Sequence, residues 1–235
     1  MALFALSDLH LSLSIDKPMD VFGDIWDSYM DKIKSHWIEE VSDGDYVLVP
    51  GDISWATYLE QIYKDFEYIN QLPGIKVIMK GNHDYWWSTV SKLNQYIKQH
   101  NFDKIVFLYN NSILYKDIAI CGTRGWNCPG SDEFSKEDEK IYLRELHRLE
   151  LSIQQGLKYN PSEIIVALHY PPVNRYRDMQ SGFIKLLKKY GVKTCIYGHL
   201  HANSQRNALI GEYEGIQFYL VACDYINFRP LKLKD

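Results

Sequence analysis

Short apolar runs rich in β-branched residues recur along this chain, and several end in turns that carry carboxylate, amide or imidazole groups. The clearest run occupies residues 75–79 and leads into Gly81-Asn82-His83-Asp84. Such a run is typical of a buried strand, and Gly81 permits backbone torsions that a side chain would forbid. Asn82 offers a neutral oxygen ligand, His83 a titratable imidazole, and Asp84 a carboxylate that could orient this imidazole. The turn predicts a functional site at a strand end.

Four other predicted strands end in side chains of the same kind. They cover residues 2–6, 46–49, 164–168 and 193–197. The polar residues that follow them are Asp8 and His10, Asp52, His169, and His199 and His201. In extended geometry, the two members of an Asp-x-His or His-x-His pair point to the same side. Because side chains at the carboxyl ends of strands in an open α/β sheet converge on one crevice, we expect these residues to form a single site.

Amphipathic segments between the strands predict helices. These cover Asp20–Val41 and Trp55–Leu72, begin at Trp86 and after the capping-box-like Ser135-Lys136-Glu137-Asp138, and occupy residues near 179–190. The first half therefore has the β-α-β pattern of a parallel sheet. From residue 105 the strands are short and tightly connected, which predicts antiparallel pairing. Residues 208–210 and 216–223 predict a closing hairpin.

The composition is ordinary for a soluble globular enzyme, with 46% hydrophobic and 24% charged residues, and we expect one domain over residues 1–235. The net charge of -4 gives no electrostatic footprint for general binding to nucleic acid or to an acidic membrane. Four scattered cysteines predict reduced, buried thiols. The N-terminus lacks a basic segment, and no apolar run approaches the roughly 20 residues of a membrane span. We expect a cytoplasmic protein.

The donor types at the strand ends indicate a metal site. Hard oxygen donors mixed with imidazoles suit first-row divalent ions, and the lack of a nearby cysteine argues against a closed structural zinc site. The seven donors, namely Asp8, His10, Asp52, Asn82, His169, His199 and His201, are more than one ion needs. Two ions that share one bridging carboxylate would use them all and leave room for water.

The motif set resembles that of the calcineurin-like metallophosphoesterases. The matching motifs are Asp8-x-His10, Gly51-Asp52, Gly81-Asn82-His83-Asp84, His169 and Gly198-His199-x-His201. The resemblance implies an α/β fold, a four-layer sandwich of two mixed β-sheets flanked by helices. It also implies that one metal is held by Asp8, His10 and His201, the other by Asn82, His169 and His199, with Asp52 bridging. The metals implied are divalent or mixed-valence transition ions, with Mn, Fe or Zn favoured.

The resemblance further implies a reaction. A metal-bridging hydroxide would attack the phosphorus of a phosphodiester or phosphomonoester in line. His83 would protonate the leaving alkoxide or stabilise charge in the transition state, and Asp84 would hold the His83 ring. Arg124 also follows a predicted strand, and we hypothesise that it clamps a phosphate oxygen. A small-molecule phosphoester is the favoured substrate.

Two alternatives remain open on the sequence. A metal-dependent nuclease is disfavoured by the net charge of -4 and by the lack of a Lys/Arg-rich stretch beyond the short tail 229–234. A non-catalytic interaction scaffold on the same fold would have lost metal-binding histidines, whereas this chain retains them and His83. The protein serine/threonine phosphatase branch is disfavoured because Asp84 stands where that branch carries Glu, and Ile53-Ser54-Trp55-Ala56 replaces its Asp-Arg-Gly.

Overall fold

The computed structural model of the chain describes residues 1–130 and 134–235. In chain order, its strands are β1 (Leu3–Ala5), β2 (Tyr46–Val49), β3 (Ile75–Ile78), β4 (Ile105–Phe107), β5 (Ser112–Tyr115), β6 (Ile118–Thr123), β7 (Glu163–Leu168), β8 (Thr194–Tyr197), β9 (Gly211–Tyr213), β10 (Ile216–Leu220) and β11 (Leu231–Lys234). Its α-helices are α1 (Tyr29–Glu40), α2 (Tyr63–Gln71), α3 (Val90–Gln99), α4 (Lys136–Leu157) and α5 (Gly182–Lys189). The sequence also predicts a polar loop over residues 127–134, and residues 131–133 of this loop lie outside the described residues.

The chain forms two compact units, and the prediction of one domain over 1–235 stays a prediction. Unit 1 consists of Met1–Phe107 and Val221–Asp235. Its sheet has the strand order β11-β1-β2-β3-β4. The strands β1 to β4 are parallel, and β11 pairs with β1 in the antiparallel direction. The predicted β-α-β pattern of the first half is confirmed, but β4 belongs to this parallel set and not to an antiparallel one.

Unit 2 consists of Leu108–Leu220, and its sheet has the strand order β5-β6-β7-β8-β10-β9. The hairpin of β5 and β6 is antiparallel, as is the hairpin of β9 and β10. The central strands β6, β7, β8 and β10 are parallel, which corrects the expectation of an antiparallel second half. The prediction of an α/β protein with two mixed sheets and flanking helices is confirmed.

The predicted helix Asp20–Val41 is shorter than expected. Two 3₁₀ turns, Asp20–Phe22 and Asp24–Trp26, come first. The φ angles of Gly23 and Ser28 are 120° and 51°, and a right-handed helix cannot continue through either value. Apolar residues spaced four apart in this segment predict one buried stripe that begins at Ile25. Ile25 is instead 45% exposed, because it lies in the second 3₁₀ turn. The rest of the stripe is buried as predicted, namely Tyr29, Ile33, Trp37 and Val41.

The helix predicted to begin at Trp55 is delayed by a tertiary contact. Leu11 N donates to Ile53 O, and Trp55 N donates to Leu11 O, both at 2.9 Å. This short parallel ladder keeps residues 53–55 extended. Helical geometry begins with a 3₁₀ turn at Leu59–Ile62, and α2 follows.

Two helix starts follow capping rules. Helix α3 begins after Thr89, whose hydroxyl accepts from Lys92 N at 3.3 Å, so Trp86 lies before this helix and is buried in the core. The predicted capping box of α4 is confirmed. Ser135 Oγ accepts from Asp138 N at 3.1 Å, and Asp138 Oδ2 accepts from Ser135 N at 2.9 Å.

The C-terminal part differs from the prediction in two ways. The hairpin is formed by β9 and β10 with a turn at Glu214 and Gly215, whose φ angles are 52° and 78°, so residues 208–210 are not its first strand. The chain then leaves β10 at Val221, whose carbonyl accepts from Ser7 N at 2.8 Å. The basic tail becomes the edge strand β11, where lysines discourage pairing with a further strand.

The four cysteines are free and buried, as predicted. Burial raises the pKa of the Cys121 and Cys128 thiols to about 12, so both stay protonated and poorly nucleophilic at neutral pH. Among the described residues, no helix has both the length and the apolar character needed to cross a bilayer.

Candidate metal centre

The turn after β1 carries Asp8 and His10 in an unusual backbone conformation. Their φ angles are 61° and 45°, in the left-handed region that residues with side chains rarely adopt. Asp8 N donates to Gly51 O, and His10 N donates to Asp52 O, both at 3.0 Å, and these bonds hold the turn. The expectation of extended geometry is therefore wrong here. The turn brings a carboxylate oxygen of Asp8 and an imidazole nitrogen of His10 within 4.8 Å of each other.

Asp52, which follows β2 and also has a positive φ of 52°, presents its carboxylate to the same two residues. Its Oδ2 lies 3.8 Å from His10 Nε2. One of its oxygens lies within 4.8 Å of an oxygen of Asp8. Its Oδ1 accepts a hydrogen bond from His83 N at 2.8 Å. Unit 1 thus brings three predicted ligands together and ties them to the turn after β3.

Gly81 is required for close approach and not for its torsion angles. A Cβ atom at this position would lie 2.1 Å from Asp52 Oδ1 and 2.3 Å from Asp52 N. Its φ does not lie in the left-handed region, so the torsional argument made from the sequence is wrong. The missing side chain lets the turn with half-buried Asn82 and His83 lie directly against Asp52.

The fully buried carboxylate of Asp84 accepts hydrogen bonds from two stretches of backbone and one indole. Its Oδ2 accepts from Asp52 N at 2.9 Å and from Gly81 N at 2.7 Å. Its Oδ1 accepts from Ile53 N at 2.9 Å, from Ser54 N at 3.3 Å, and from Trp86 Nε1 at 3.0 Å. A single carboxylate therefore joins the turn after β2 to the turn after β3. The sequence did not predict this role, because Asp52, Ile53 and Ser54 lie about 30 residues from Asp84 and no local pattern indicates the contact.

His83 and His10 share an aromatic neighbour. The Trp55 ring is stacked on His10 at 4.8 Å with an interplanar angle of 22°, and it lies 4.5 Å from His83. Lys17 Nζ lies 3.4 Å from the Trp55 ring centroid, in a cation–π contact. The sequence predicts Trp55 only as the first residue of a helix. The structure makes it the packing surface for both imidazoles.

Residues outside the motifs fix the backbone of the first turn. The Tyr29 hydroxyl donates to His10 O at 2.7 Å, and the Cys223 thiol donates to Asp8 O at 2.9 Å. Burial, with the nearby charges of Asp8 and Asp224, raises the pKa of Cys223 well above its usual range, so this thiol keeps its proton. Sequence reasoning classed Tyr29 and Cys223 as core, which is correct for their burial and omits their hydrogen bonds.

In unit 2, two predicted ligands lie next to each other. His169 follows β7 and is fully buried, and its backbone N donates to Arg124 O at 3.0 Å. Its ring centroid lies 5.1 Å from that of His199, with the planes at 74°. The Tyr170 ring covers His199 at 4.1 Å. His199 has a φ of 71°, so the extended geometry expected for this histidine pair is also wrong.

His201 ends the same turn in an extended conformation, with φ of -116°. It precedes the 3₁₀ turn Ala202–Asn207, and its carbonyl accepts from Ser204 N at 3.0 Å and from Ser204 Oγ at 2.6 Å. The side chain is half-buried, which leaves part of the imidazole accessible.

Arg124 follows β6 directly and is held by its own surroundings in unit 2. Its guanidinium lies 4.5 Å from the Trp126 ring centroid, and Nη2 lies 3.8 Å from Glu145 Oε1. Glu145 is buried and also accepts from Arg148 Nη1 at 2.7 Å and from Thr123 Oγ1 at 2.6 Å. Burial lowers the pKa of Arg124, yet a guanidinium remains charged at any physiological pH. The phosphate-clamp role therefore stays a prediction, for a cation that already has an ion-pair partner.

The donor set of unit 1 fits a divalent transition metal. Asp8 and Asp52 are at most 1% exposed, although their carboxylates lie within 4.8 Å of each other. Two buried like charges at this separation are costly unless a cation or protons compensate them. The adjacent imidazole of His10 and the absence of a thiolate donor favour first-row divalent ions over a structural zinc site.

Solved structures with the same fold span nearly the whole chain. TT1561 of Thermus thermophilus is 11% identical, with a TM-score of 0.57, and the match covers 99% of this chain and 97% of that one. The protein of unknown function AQ665 from Aquifex aeolicus is 17% identical, with a TM-score of 0.53 and coverage of 98% and 95%. Phosphopantetheinyl hydrolase from Mycobacterium tuberculosis is 12% identical, with a TM-score of 0.52 and coverage of 99% and 95%.

No curated protein matches the sequence significantly. A family model, however, matches residues 1–203, and its description is calcineurin-like phosphoesterase. The match extends from β1 through the turn that carries His199 and His201. The chain therefore belongs to the calcineurin-like phosphoesterase family and is a metal-dependent phosphoesterase.

Proposed function

We propose that this protein is a dinuclear, divalent-metal-dependent phosphohydrolase that cleaves a small-molecule phosphodiester or phosphomonoester by in-line attack of water. The observation that supports it best is the cluster of Asp8, His10 and Asp52. These three side chains come from two different strand ends, and their residues all have left-handed backbone conformations. Such strain costs on the order of 1–3 kcal/mol per residue and persists where a functional geometry requires it.

The seven donors are proposed to hold two ions. Asp8, His10 and His201 would bind one, Asn82, His169 and His199 the other, and Asp52 both. Support comes from the family motifs and from the donor geometry within each unit. When bound, two divalent cations supply Lewis acidity that activates water and neutralises phosphate charge. Mn, Fe and Zn all suit this donor set.

His83 is proposed to protonate the leaving oxygen or to stabilise charge in the transition state. Its backbone N is fixed by Asp52 Oδ1 at 2.8 Å, and its ring lies against Trp55 at 4.5 Å. Asp84 is proposed to support it, either by holding the ring or by anchoring the turn through Gly81 N. We expect His83→Ala to lower kcat about 10²- to 10⁴-fold without loss of metal. His147→Ala, on the exposed face of α4, is the matched control and should retain full activity.

Arg124 is proposed to contact a phosphate oxygen of the substrate. Arg124→Ala should raise KM about tenfold or more, because a charge-assisted hydrogen bond contributes about 1.5–3 kcal/mol. Arg144→Ala is the control, since Arg144 Nε lies 3.6 Å from the same Glu145 carboxylate but its side chain is 52% exposed. Unchanged KM and kcat in Arg124→Ala would exclude the clamp.

The first experiment is Mn²⁺-dependent hydrolysis of bis(4-nitrophenyl) phosphate and 4-nitrophenyl phosphate, with the metal content of the same sample measured. A phosphopantetheinyl ester belongs in the panel, because one structural neighbour is a hydrolase of that name. We expect two ions per chain and turnover that is lost in His83→Ala. A protein that holds no metal after purification and reconstitution would refute the proposal and favour the interaction scaffold.

A further inference from the structure

A cavity of about 280 Å³ lies beside His199 within unit 2. The Tyr170 ring, which covers His199 at 4.1 Å, forms part of its wall. A group bound in this cavity would therefore lie next to a proposed metal ligand. The volume is at the lower limit of small-molecule sites, so the cavity suits one compact organic group and not a polymer.

The walls combine aromatic and aliphatic surface with carboxamides. Phe134, Val173 and Leu200 supply apolar surface in addition to Tyr170. Among the described residues, no carboxylate lines the cavity. Arg175, a cationic residue of the lining, is exposed and donates to the Tyr176 hydroxyl at 2.5 Å. The aromatic rings and carboxamides of this lining favour a flat group with hydrogen-bonding edges.

The three asparagines of the lining differ in their hydrogen bonds to the rest of the chain. Asn174 is engaged with the backbone, because its Nδ2 donates to Pro129 O at 2.9 Å and its Oδ1 accepts from Tyr176 N at 3.0 Å. Asn127 and Asn207 also line the cavity, and no hydrogen bond to the described part of the chain occupies either side chain. Each offers both a donor and an acceptor to a ligand.

We infer that this cavity receives the organic group of the phosphoester substrate, and that this group is a planar heterocycle whose edge carries hydrogen-bond donors and acceptors, as in a nucleobase. The inference rests on the proposed function. An aromatic ring in the wall can stack against any of the nucleobases, because each has a flat π-face. A carboxamide pairs with a heterocyclic edge that presents a donor beside an acceptor. Asn127 and Asn207 would then select the group that the Tyr170 and Phe134 rings hold.

The test compares three chromogenic diesters with metal-loaded protein. These are the 4-nitrophenyl esters of thymidine 5′-monophosphate and adenosine 5′-monophosphate, and phenyl 4-nitrophenyl phosphate, which has a ring without hydrogen-bonding edges. We expect kcat/KM for at least one nucleoside ester to exceed that for the phenyl ester about tenfold, mainly through KM. Asn207→Ala should lower this preference about threefold to tenfold, the effect of one or two neutral hydrogen bonds. Asn203→Ala, exposed on the same 3₁₀ turn, should not change it.

The outcomes separate the two proposals. If all three esters are hydrolysed and the nucleoside esters have no advantage, or if Asn207→Ala slows all of them equally, the cavity inference is wrong and the phosphoesterase proposal stands. Calorimetric binding of adenosine monophosphate and thymidine monophosphate gives a readout without turnover. If Asn207→Ala weakens this binding and Asn203→Ala does not, the cavity inference is supported even when no ester is cleaved. If the protein neither binds the nucleotides nor hydrolyses any ester, both proposals are wrong.

Discussion

The substitution Asp84→Asn tests whether one buried carboxylate joins the two turns of the candidate metal centre. Oδ1 accepts three hydrogen bonds and Oδ2 accepts two, from Asp52 N and Gly81 N. If the asparagine oxygen takes the Oδ1 position, its NH2 group must take the Oδ2 position. There it faces Asp52 N and Gly81 N, which are donors and would lose their acceptor. Each buried donor left without an acceptor costs about 1–3 kcal/mol, so we expect a loss of about 2–6 kcal/mol in the free energy of unfolding.

The measurement is equilibrium unfolding in urea of metal-free protein, with Asp103→Asn as an exposed control that should change the free energy by less than about 0.5 kcal/mol. Metal affinity should fall together with stability, because the Asp52 backbone loses an anchor. If Asp84→Asn does not fold, Trp86→Phe removes a single donor to Oδ1 and should cost about 1–2 kcal/mol. An Asp84→Asn protein as stable as the parent would show that these hydrogen bonds do not hold the turns.

Two further substitutions test the packing around this centre and in its sheet. Gly81→Ala should abolish tight metal binding, because the new Cβ would lie 2.1 Å from Asp52 Oδ1, whereas Gly44→Ala, with open space around its Cβ, should bind metal normally. Equal Mn²⁺ affinity in both, measured by calorimetry, would contradict this reasoning. Lys76, fully buried in β3, has its pKa lowered by burial from 10.5 to about 7. Between these values the unfolded chain binds the extra proton, so stability should rise with pH from 7 towards 10.5 by up to about 1.4 kcal/mol per pH unit. Urea unfolding at pH 7, 8 and 9 should show this slope reduced in Lys76→Met, and an identical slope in both proteins would refute the assignment.

The positions of the candidate ligands in the fold could be predicted because they depend on local pattern. Each apolar run that precedes a motif forms a strand close to its predicted limits, as with β3 before Asn82 and β7 before His169. The capping box at Ser135 also follows from neighbours in sequence. Strands β3 and β7 are buried along nearly their whole length, so the sequence carries each of them as a short continuous apolar run.

Other features depended on partners distant in sequence and could not be predicted. The helix expected from Trp55 is delayed because residues 53–55 pair with Leu11, more than 40 residues earlier in the chain. Strand β11 has only four residues, in which leucine and lysine alternate, and its place in the sheet depends on its pairing with β1. The reason for Gly81 was likewise misjudged, since it depends on the proximity of Asp52 and not on its own torsion angles.

By itself, the sequence determined the α/β class, the strand ends that carry the donor residues, and the motifs that identify the family. These are encoded by residue types at short spacings, which local sterics and burial enforce. The tertiary structure alone decided that Asp8, His10, Asp52 and His199 adopt left-handed backbone conformations, and that Asp84 anchors two turns. Such conformations are unfavourable in isolation, and they persist only because hydrogen bonds from distant segments compensate for their cost.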